Sequence, residues 1–396
     1  MRKLDIGIAG AGPAGLAAAL FLHRAGHRVA VCERFDAPKP LGSGLILQPT
    51  GLAVLERLGL RGRIDALGSR IERLYGADAR TGRTVLDVRY AALKGGGTGL
   101  GVHRAALFSV LHEAVAEAGI GIETGKSVAE IQAGARPKLA FEDGTRTAAF
   151  DLVIDASGAR SRLRRHCRTP VEPVPLRYGA WWASLPWQDG FDAHALEQRY
   201  RRASVMIGVL PIGRVSADGG AMAAFFWSLK PDAADTVRAR GLAAWKDEVS
   251  GHWPAVRLHL DNIDGFDTLT LARYGHHTLT VPAGNGIAFI GDSAHSTSPQ
   301  LGQGANMALL DAAALADAVD MSGDVDAALE RYCAMRRWHV RVFQAASRTF
   351  TPFYQSDSRV LPFLRDTLVA TVAKLPIAQR TLARLVTGTL VEPIRR

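Results

Sequence analysis

The sequence predicts an α/β protein with a mostly antiparallel sheet in mid-chain and a helical C-terminal segment. Three observations carry this. A strand, glycine turn, helix and strand follow one another before Glu33. A second glycine-rich run lies between a strand and a helix at Gly291–Asn306. Most of the tryptophans fall among strand-like runs between residues 171 and 274.

The first unit is read from alternation. Leu4, Ile6 and Ile8 alternate with Asp5, Gly7 and Ala9, which is a short strand. An apolar helix follows and stops near Gly26. Arg28–Cys32 returns as a strand closed by Glu33. The turn between them is Gly10-Ala11-Gly12-Pro13-Ala14-Gly15, the Rossmann-type dinucleotide fingerprint. The first glycine permits the tight turn, the second lets a pyrophosphate approach the backbone, and the third lets the helix pack on the sheet. The helix N-terminus offers unpaired N–H groups to phosphate charge. Glu33 stands where an acid is required to accept from ribose hydroxyls, with Arg34 beside it. This turn does not separate FAD from NAD.

Further on, Gly42–Leu60 reads as a glycine-rich loop and a helix (Leu52, Leu55, Leu58). Arg104–Ala118 is an amphipathic helix with Leu107, Leu111, Ala114 and Ala118 on one side, stopped by Gly119. Asp143-Gly144 is a turn, and Phe150–Ile154 a buried strand. Residues 171–274, with Trp181, Trp182, Trp187, Trp227, Trp245 and Trp253 among runs such as Ser204–Leu210 and Ala221–Leu229, are expected to form the antiparallel sheet. Gly286–Ile290 is another strand, an Ala/Leu helix runs through Val319, and the rest is helical and basic. The domains expected are a discontinuous nucleotide-binding one (1–70, 98–170, 275–322), a substrate-binding sheet (71–97, 171–274) and a helical region (323–396).

Gly291-Asp292-Ser293-Ala294-His295 follows a strand, and Pro299, Gly302, Gln303, Gly304, Ala305 and Asn306 lead into the helix. Asp292 can accept from the hydroxyls of a sugar-like chain, and the glycines expose backbone N–H groups that stabilise negative charge on a ring. This run resembles the second FAD motif of the flavin aromatic hydroxylases typified by para-hydroxybenzoate hydroxylase. The resemblance implies that Asp292 binds the ribityl and pyrophosphate region of FAD, and that Pro299 and Gly302 to Asn306 lie against the isoalloxazine. It extends to Arg104, at the family's helix-opening arginine, and to Asp155-Ala156-Ser157-Gly158-Ala159-Arg160. That last stretch departs from the pattern, because Ser157 stands where the family has Asp. The departure leaves the choice of NADH or NADPH open.

The implied activity is hydroxylation of a small aromatic or heteroaromatic substrate with NAD(P)H and O2 through a flavin C4a-hydroperoxide, in a site that excludes water. A ubiquinone-precursor-type hydroxylase at a membrane surface, a halogenase- or reductase-like flavoenzyme and a non-catalytic flavin protein are the alternatives. Trp181-Trp182-Ala183-Ser184-Leu185-Pro186 is not a halogenase Trp-x-Trp-x-Ile-Pro stretch. The catalytic candidates are Gln48, in a segment that in the family passes near the flavin, together with Pro299 and His295. His295 either tunes a proton or fixes the loop as a hydrogen-bond donor. Trp182, Tyr200, Phe226 and Trp227 are the substrate-binding candidates, with sheet core as the plainer role for each.

Composition bounds the partners. A net charge of +10 comes without an aromatic-interleaved basic stripe, so nucleic acid is excluded, and the cluster Arg160, Arg162, Arg164, Arg165 and Arg168 suits an anionic cofactor or substrate. Three widely spaced cysteines suggest neither a disulfide framework nor a zinc site. His276 and His277 are adjacent and cannot face one metal, and at least one is expected in an ordinary surface or loop position. Gly95–Gly101 lacks the Gly-Lys-Ser/Thr of a phosphate loop. The early strand leaves no room for a signal peptide, and no apolar run is long enough to span a membrane, so a cytoplasmic monomer or homodimer is expected. From Phe363 onward, apolar residues at helical spacing carry Arg365, Lys374, Arg380, Arg384, Arg395 and Arg396. They form either a helix packed on the body or a basic helix that touches membrane.

Overall fold

The structure is a computed structural model that describes residues 2–37, 42–369 and 375–395; Lys374 and Arg396 lie outside the described residues. The first strand, Asp5–Ala9 (β1), pairs in parallel with Arg28–Cys32 (β2) on one side and with Leu152–Asp155 on the other. Ile287–Phe289 and Ile122–Glu123 extend the sheet in parallel, and Ala283–Gly284 forms an antiparallel edge, giving six strands. Ile6, Ile8, Leu152 and Ile154 are fully buried, as strands of a parallel sheet covered on both faces must be.

The helix Pro13–Arg24 (α1) packs against Arg104–Glu117 and Gly304–Asp320. Ala17, Ala18 and Ala19 are fully buried at these contacts, and their small side chains allow close approach. Gly15 sets the start of α1 against the turn: a Cβ there would come within 2.0 Å of the Gly10 carbonyl oxygen. Gly15→Ala is therefore expected to cost about 1–3 kcal/mol through enforced backbone movement. An unchanged urea midpoint would show that the turn yields freely.

The second sheet has seven strands in the order Thr270–Ala272, Gly179–Pro186, Met222–Leu229, Val205–Pro211, Ala195–Arg201, Arg73–Asp78 and Thr84–Arg89. It is antiparallel except where Ala195–Arg201 runs parallel to Arg73–Asp78. Strand alternation sends Trp181, Phe225 and Trp227 to one face, where they pack on Trp245. Trp182, Phe226 and Tyr200 emerge on the other face.

The strands of 171–274 form an antiparallel sheet, as the sequence predicts, and the stretch also holds helices at Ala234–Arg240, Leu242–His252 and Arg257–Leu260. Trp245 and Val249, four residues apart, bury one helical face on the sheet, and an aromatic residue serves that purpose as well as a strand position. His276 and His277 both lie buried on the strand Gly275–Thr278 rather than at the surface. His277 Nε2 meets the Ser293 carbonyl oxygen at 3.1 Å and Nδ1 meets Ser296 Oγ at 2.7 Å, and burial lowers its pKa to about 4.

The C-terminal segment is helical. Val325–Tyr354 starts at Asp324, whose side chain accepts from Ala327 N, and Pro376–Val386 buries Ala383, Leu385 and Val386 against the body. Among the described residues no helix is long and apolar enough to cross a membrane.

Candidate active site

A cleft of 1690 Å³ runs from the C-terminal end of β1 to the inner face of the seven-stranded sheet. One end is built from the first glycine turn. Gly10 has φ +107°, and a Cβ there would also strike the Ala156 carbonyl oxygen at 2.6 Å. Gly12, Pro13 and Ala14 line the cleft, and a Cβ at Gly12 would meet nothing within 4 Å, so that space is open to a ligand. Gly15 faces the sheet instead.

Glu33 ends β2 at the cleft wall. Its Oε2 accepts from Ala11 N at 2.7 Å and its Oε1 from Arg34 N at 2.7 Å, so the carboxylate is held between the turn and its own strand end. Arg34 and Arg104 also line this end. Asp155, from the third motif, is fully buried outside the cleft. It clasps its own loop by accepting from Ser157 N, Ser157 Oγ and Ser161 Oγ, while burial raises its pKa against those bonds. Ser157, Arg160 and Arg162 reach the cleft.

The loop after Ile287–Phe289 forms the middle of the cleft. Asp292 opens onto it; its depth in the protein raises its pKa, opposed by the charges of His295 and Arg104. Pro299, Gly302, Gln303, Gly304 and Ala305 follow along the wall. Gly302 takes the left-handed conformation with φ +60°, which turns the chain into the helix Gly304–Asp320. No side chain caps that N-terminus, so its backbone N–H groups remain available to negative charge.

Two residues of the motif brace this loop without lining the cleft. Asn306 is fully buried; its Nδ2 donates to the carbonyl oxygens of Ile46 and Gly302, and its Oδ1 accepts from Gln48 N. His295 points away from the cleft. Its Nε2 lies 2.6 Å from Asp311 Oδ2, and Asp311 Oδ1 accepts from Arg336 Nε at 2.7 Å. His295 is thereby tied through Asp311 to the helix Gly304–Asp320 and to Arg336. Burial pushes the Asp311 carboxyl up, but His295 and Arg336 outweigh it and hold the group at about 2.

Gln48 joins the loop to the far end. Its Oε1 accepts from Tyr90 O–H at 2.7 Å, and its Nε2 is the nearest atom to a Cβ at Gly302, at 3.9 Å. Beyond it, Trp182, Tyr200 and Phe226 line the cleft together with Gln198 and Tyr274. The Trp182 and Phe226 rings are 4.7 Å apart, and Trp182 Nε1 donates to Tyr274 Oη at 2.7 Å. Trp227, one residue on, faces the opposite side of the sheet and lies in its core, which corrects the expectation that it meets the substrate.

Sequence reasoning passed over Gln198, Tyr274 and the wall residues Leu382, Leu385 and Val386. Gln198 had a signal, because it shares a strand face with Leu196 and Tyr200.

The family model described as "FAD binding domain" matches residues 3–342. The chain is 31% identical over 352 residues to the 3-amino-4-hydroxybenzoate 2-monooxygenase of Streptomyces cremeus, an alignment covering 85% of this chain and 84% of that protein. It belongs to the FAD-dependent aromatic monooxygenases. The FAD-dependent urate hydroxylase of Mycolicibacterium vanbaalenii is 29% identical over 343 residues, covering 84% of each chain. The fold matches that of Klebsiella pneumoniae HpxO complexed with FAD and uric acid at a TM-score of 0.82, with 23% identity over 98% of each chain.

FAD is accordingly the cofactor of this monooxygenase, and the residues present fit it. The open cradle at Gly12, the accepting carboxylate of Asp292 and the uncapped helix at Gly304 lie along one continuous cleft. Bound FAD supplies the redox chemistry, taking electrons from NAD(P)H and activating O2 for transfer to an aromatic ring.

Proposed function

We propose that the enzyme hydroxylates a small aromatic or heteroaromatic substrate held between the Pro299–Ala305 loop and the sheet face bearing Trp182, Tyr200 and Phe226. The supporting observation is the continuity of the cleft: the loop that offers backbone N–H groups is also the floor of the aromatic chamber. On this reading Gly10 to Gly15, Glu33, Arg34 and Arg104 hold the nucleotide end, and Asp292 accepts from the sugar-like chain. Pro299 and Gly302 to Ala305 abut the ring, Gln48 donates beside it, and Asn306 and His295 keep the loop in shape. The nucleotide-binding segments, the substrate sheet and the C-terminal helices act as the three parts expected from the sequence. NADH or NADPH is the donor. The three unpaired cysteines suit a cytoplasmic enzyme, working as monomer or homodimer.

The test is a screen of phenols, anilines, pyridines and quinolones for faster NAD(P)H oxidation by the FAD-loaded protein, followed by reaction under 18O2. A responding ring is expected to raise oxidation several-fold and to leave with one labelled oxygen. Reducible bound flavin with no label in any product would end the proposal.

A further inference from the structure

The two halves of the cleft differ in charge. The charged lining residues, Arg104, Arg160, Arg162 and Asp292 among them, all belong to the nucleotide half. The side chains that the seven-stranded sheet and the C-terminal helices contribute to the wall are apolar or carry only amide and hydroxyl groups. Among the described residues they include no Arg, Lys, His, Asp or Glu. Arg365 comes near but lies behind the wall. Its guanidinium sits 5.2 Å from the centres of both the Tyr200 and Tyr354 rings, and its N–H groups go to Asp366 and to the carbonyl oxygens of Phe353 and Arg202.

Two polar side chains of this chamber keep a donor free. Tyr200 O–H donates to Gln198 Oε1 at 2.9 Å, which fixes the amide with its acceptor turned to the protein. Gln198 Nε2 has no protein partner among the described residues, and Gln198 lines the cleft. Tyr274 Oη already accepts from Trp182 Nε1, so its own proton is left to donate. Burial keeps Tyr274 and Tyr200 protonated by raising their pKa values. The chamber therefore presents hydrogen-bond donors in an apolar setting without a balancing cation. A carboxylate entering it would shed water and find no partner charge. A neutral molecule with a carbonyl or phenolic oxygen would find donors that lack a protein partner.

We propose that the chamber selects an uncharged aromatic or heteroaromatic molecule carrying an acceptor oxygen, and that Gln198 Nε2 and Tyr274 O–H, on different segments of the wall, are the donors offered to it. This rests on the hydroxylase reading above and narrows its substrate class. Gln198 is the specificity-determining residue, and Tyr200 positions it.

The experiment uses the FAD-loaded enzyme and two matched pairs of probes: methyl 4-hydroxybenzoate against 4-hydroxybenzoate, and 4-quinolone against 4-quinolone-2-carboxylate. Binding is read from the change in flavin absorbance on titration, which needs no turnover. The uncharged member of each pair is expected to bind at least about tenfold more tightly. Gln198→Leu and, separately, Tyr274→Phe are expected to weaken the uncharged probes by about three- to tenfold while flavin content stays at the wild-type level. Equal or tighter binding of the anions overturns the proposal. So does silence from both members of both pairs, or wild-type affinity in both variants. The hydroxylase reading fails differently, when an uncharged probe binds and no tested ring ever acquires oxygen from O2.

Discussion

Asp311→Asn is expected to lower the stability of the folded protein by about 3–5 kcal/mol. Asp311 is fully buried, with one carboxylate oxygen on Arg336 Nε and the other on His295 Nε2 and on Gly291 N. Arg336 is 1% exposed, so removing the carboxylate leaves a guanidinium without its counter-charge in the interior. The asparagine also turns an NH2 group toward a donor. Urea unfolding of both proteins measures the loss, and a difference below about 1 kcal/mol would mean that the ion pair is dispensable. The same group shapes the acid limb. Its pKa of about 2 in the fold lies below the ordinary 3.8. The stabilisation is therefore complete above the ordinary value and fades as the pH falls toward the folded one. Wild type is expected to lose stability more steeply over that window than Asp311→Asn. Parallel curves would place the acid sensitivity elsewhere.

Asp292→Ala is expected to leave purification nearly colourless, with flavin affinity reduced by about 10- to 100-fold, the scale of one or two lost hydrogen bonds to a charged acceptor. Asp292 opens onto the cleft, and its Oδ1 is the nearest atom to a Cβ at Gly304, at 4.0 Å. It thus stands beside the start of the helix Gly304–Asp320. The ratio of flavin to protein absorbance after desalting reads the outcome, and titration with FAD gives the affinity. Full retention of flavin would remove Asp292 from the cofactor grip. Asp292→Asn, which keeps an acceptor oxygen without the charge, is expected to fall between.

The parts of this molecule that the sequence disclosed are those where chemistry leaves few choices. The tight turn at Gly10, with φ +107°, requires glycine, and Glu33 follows at the end of the next strand to accept from Ala11 N, so local spacing alone reveals this geometry. Orientation was harder. Phe226 and Trp227 are neighbours of similar character, and a strand sends one to the cleft and the other to the core. Nothing local sets the parity. His295 lies in an irregular loop whose direction is decided by Asp311 and Arg336, distant in sequence and brought together only by folding. Gln198 was hidden as a polar residue in a strand, although its place between Leu196 and Tyr200 marked its face. The helices around Trp245 are hard to read from sequence because bulky aromatics favour strands, while one helical turn places Trp245 and Val249 equally well on the sheet below.

The chamber wall draws Phe350, Tyr354, Leu382, Leu385 and Val386 from beyond residue 342, where the family match ends. Gln303 Nε2 donates to the Val386 carbonyl oxygen, tying that wall to the central loop. The tail thus shapes part of the chamber without supplying any of the glycine turns that face the nucleotide half. Swapping residues 343–395 between relatives would then alter one wall of the chamber and leave the Gln198 side untouched.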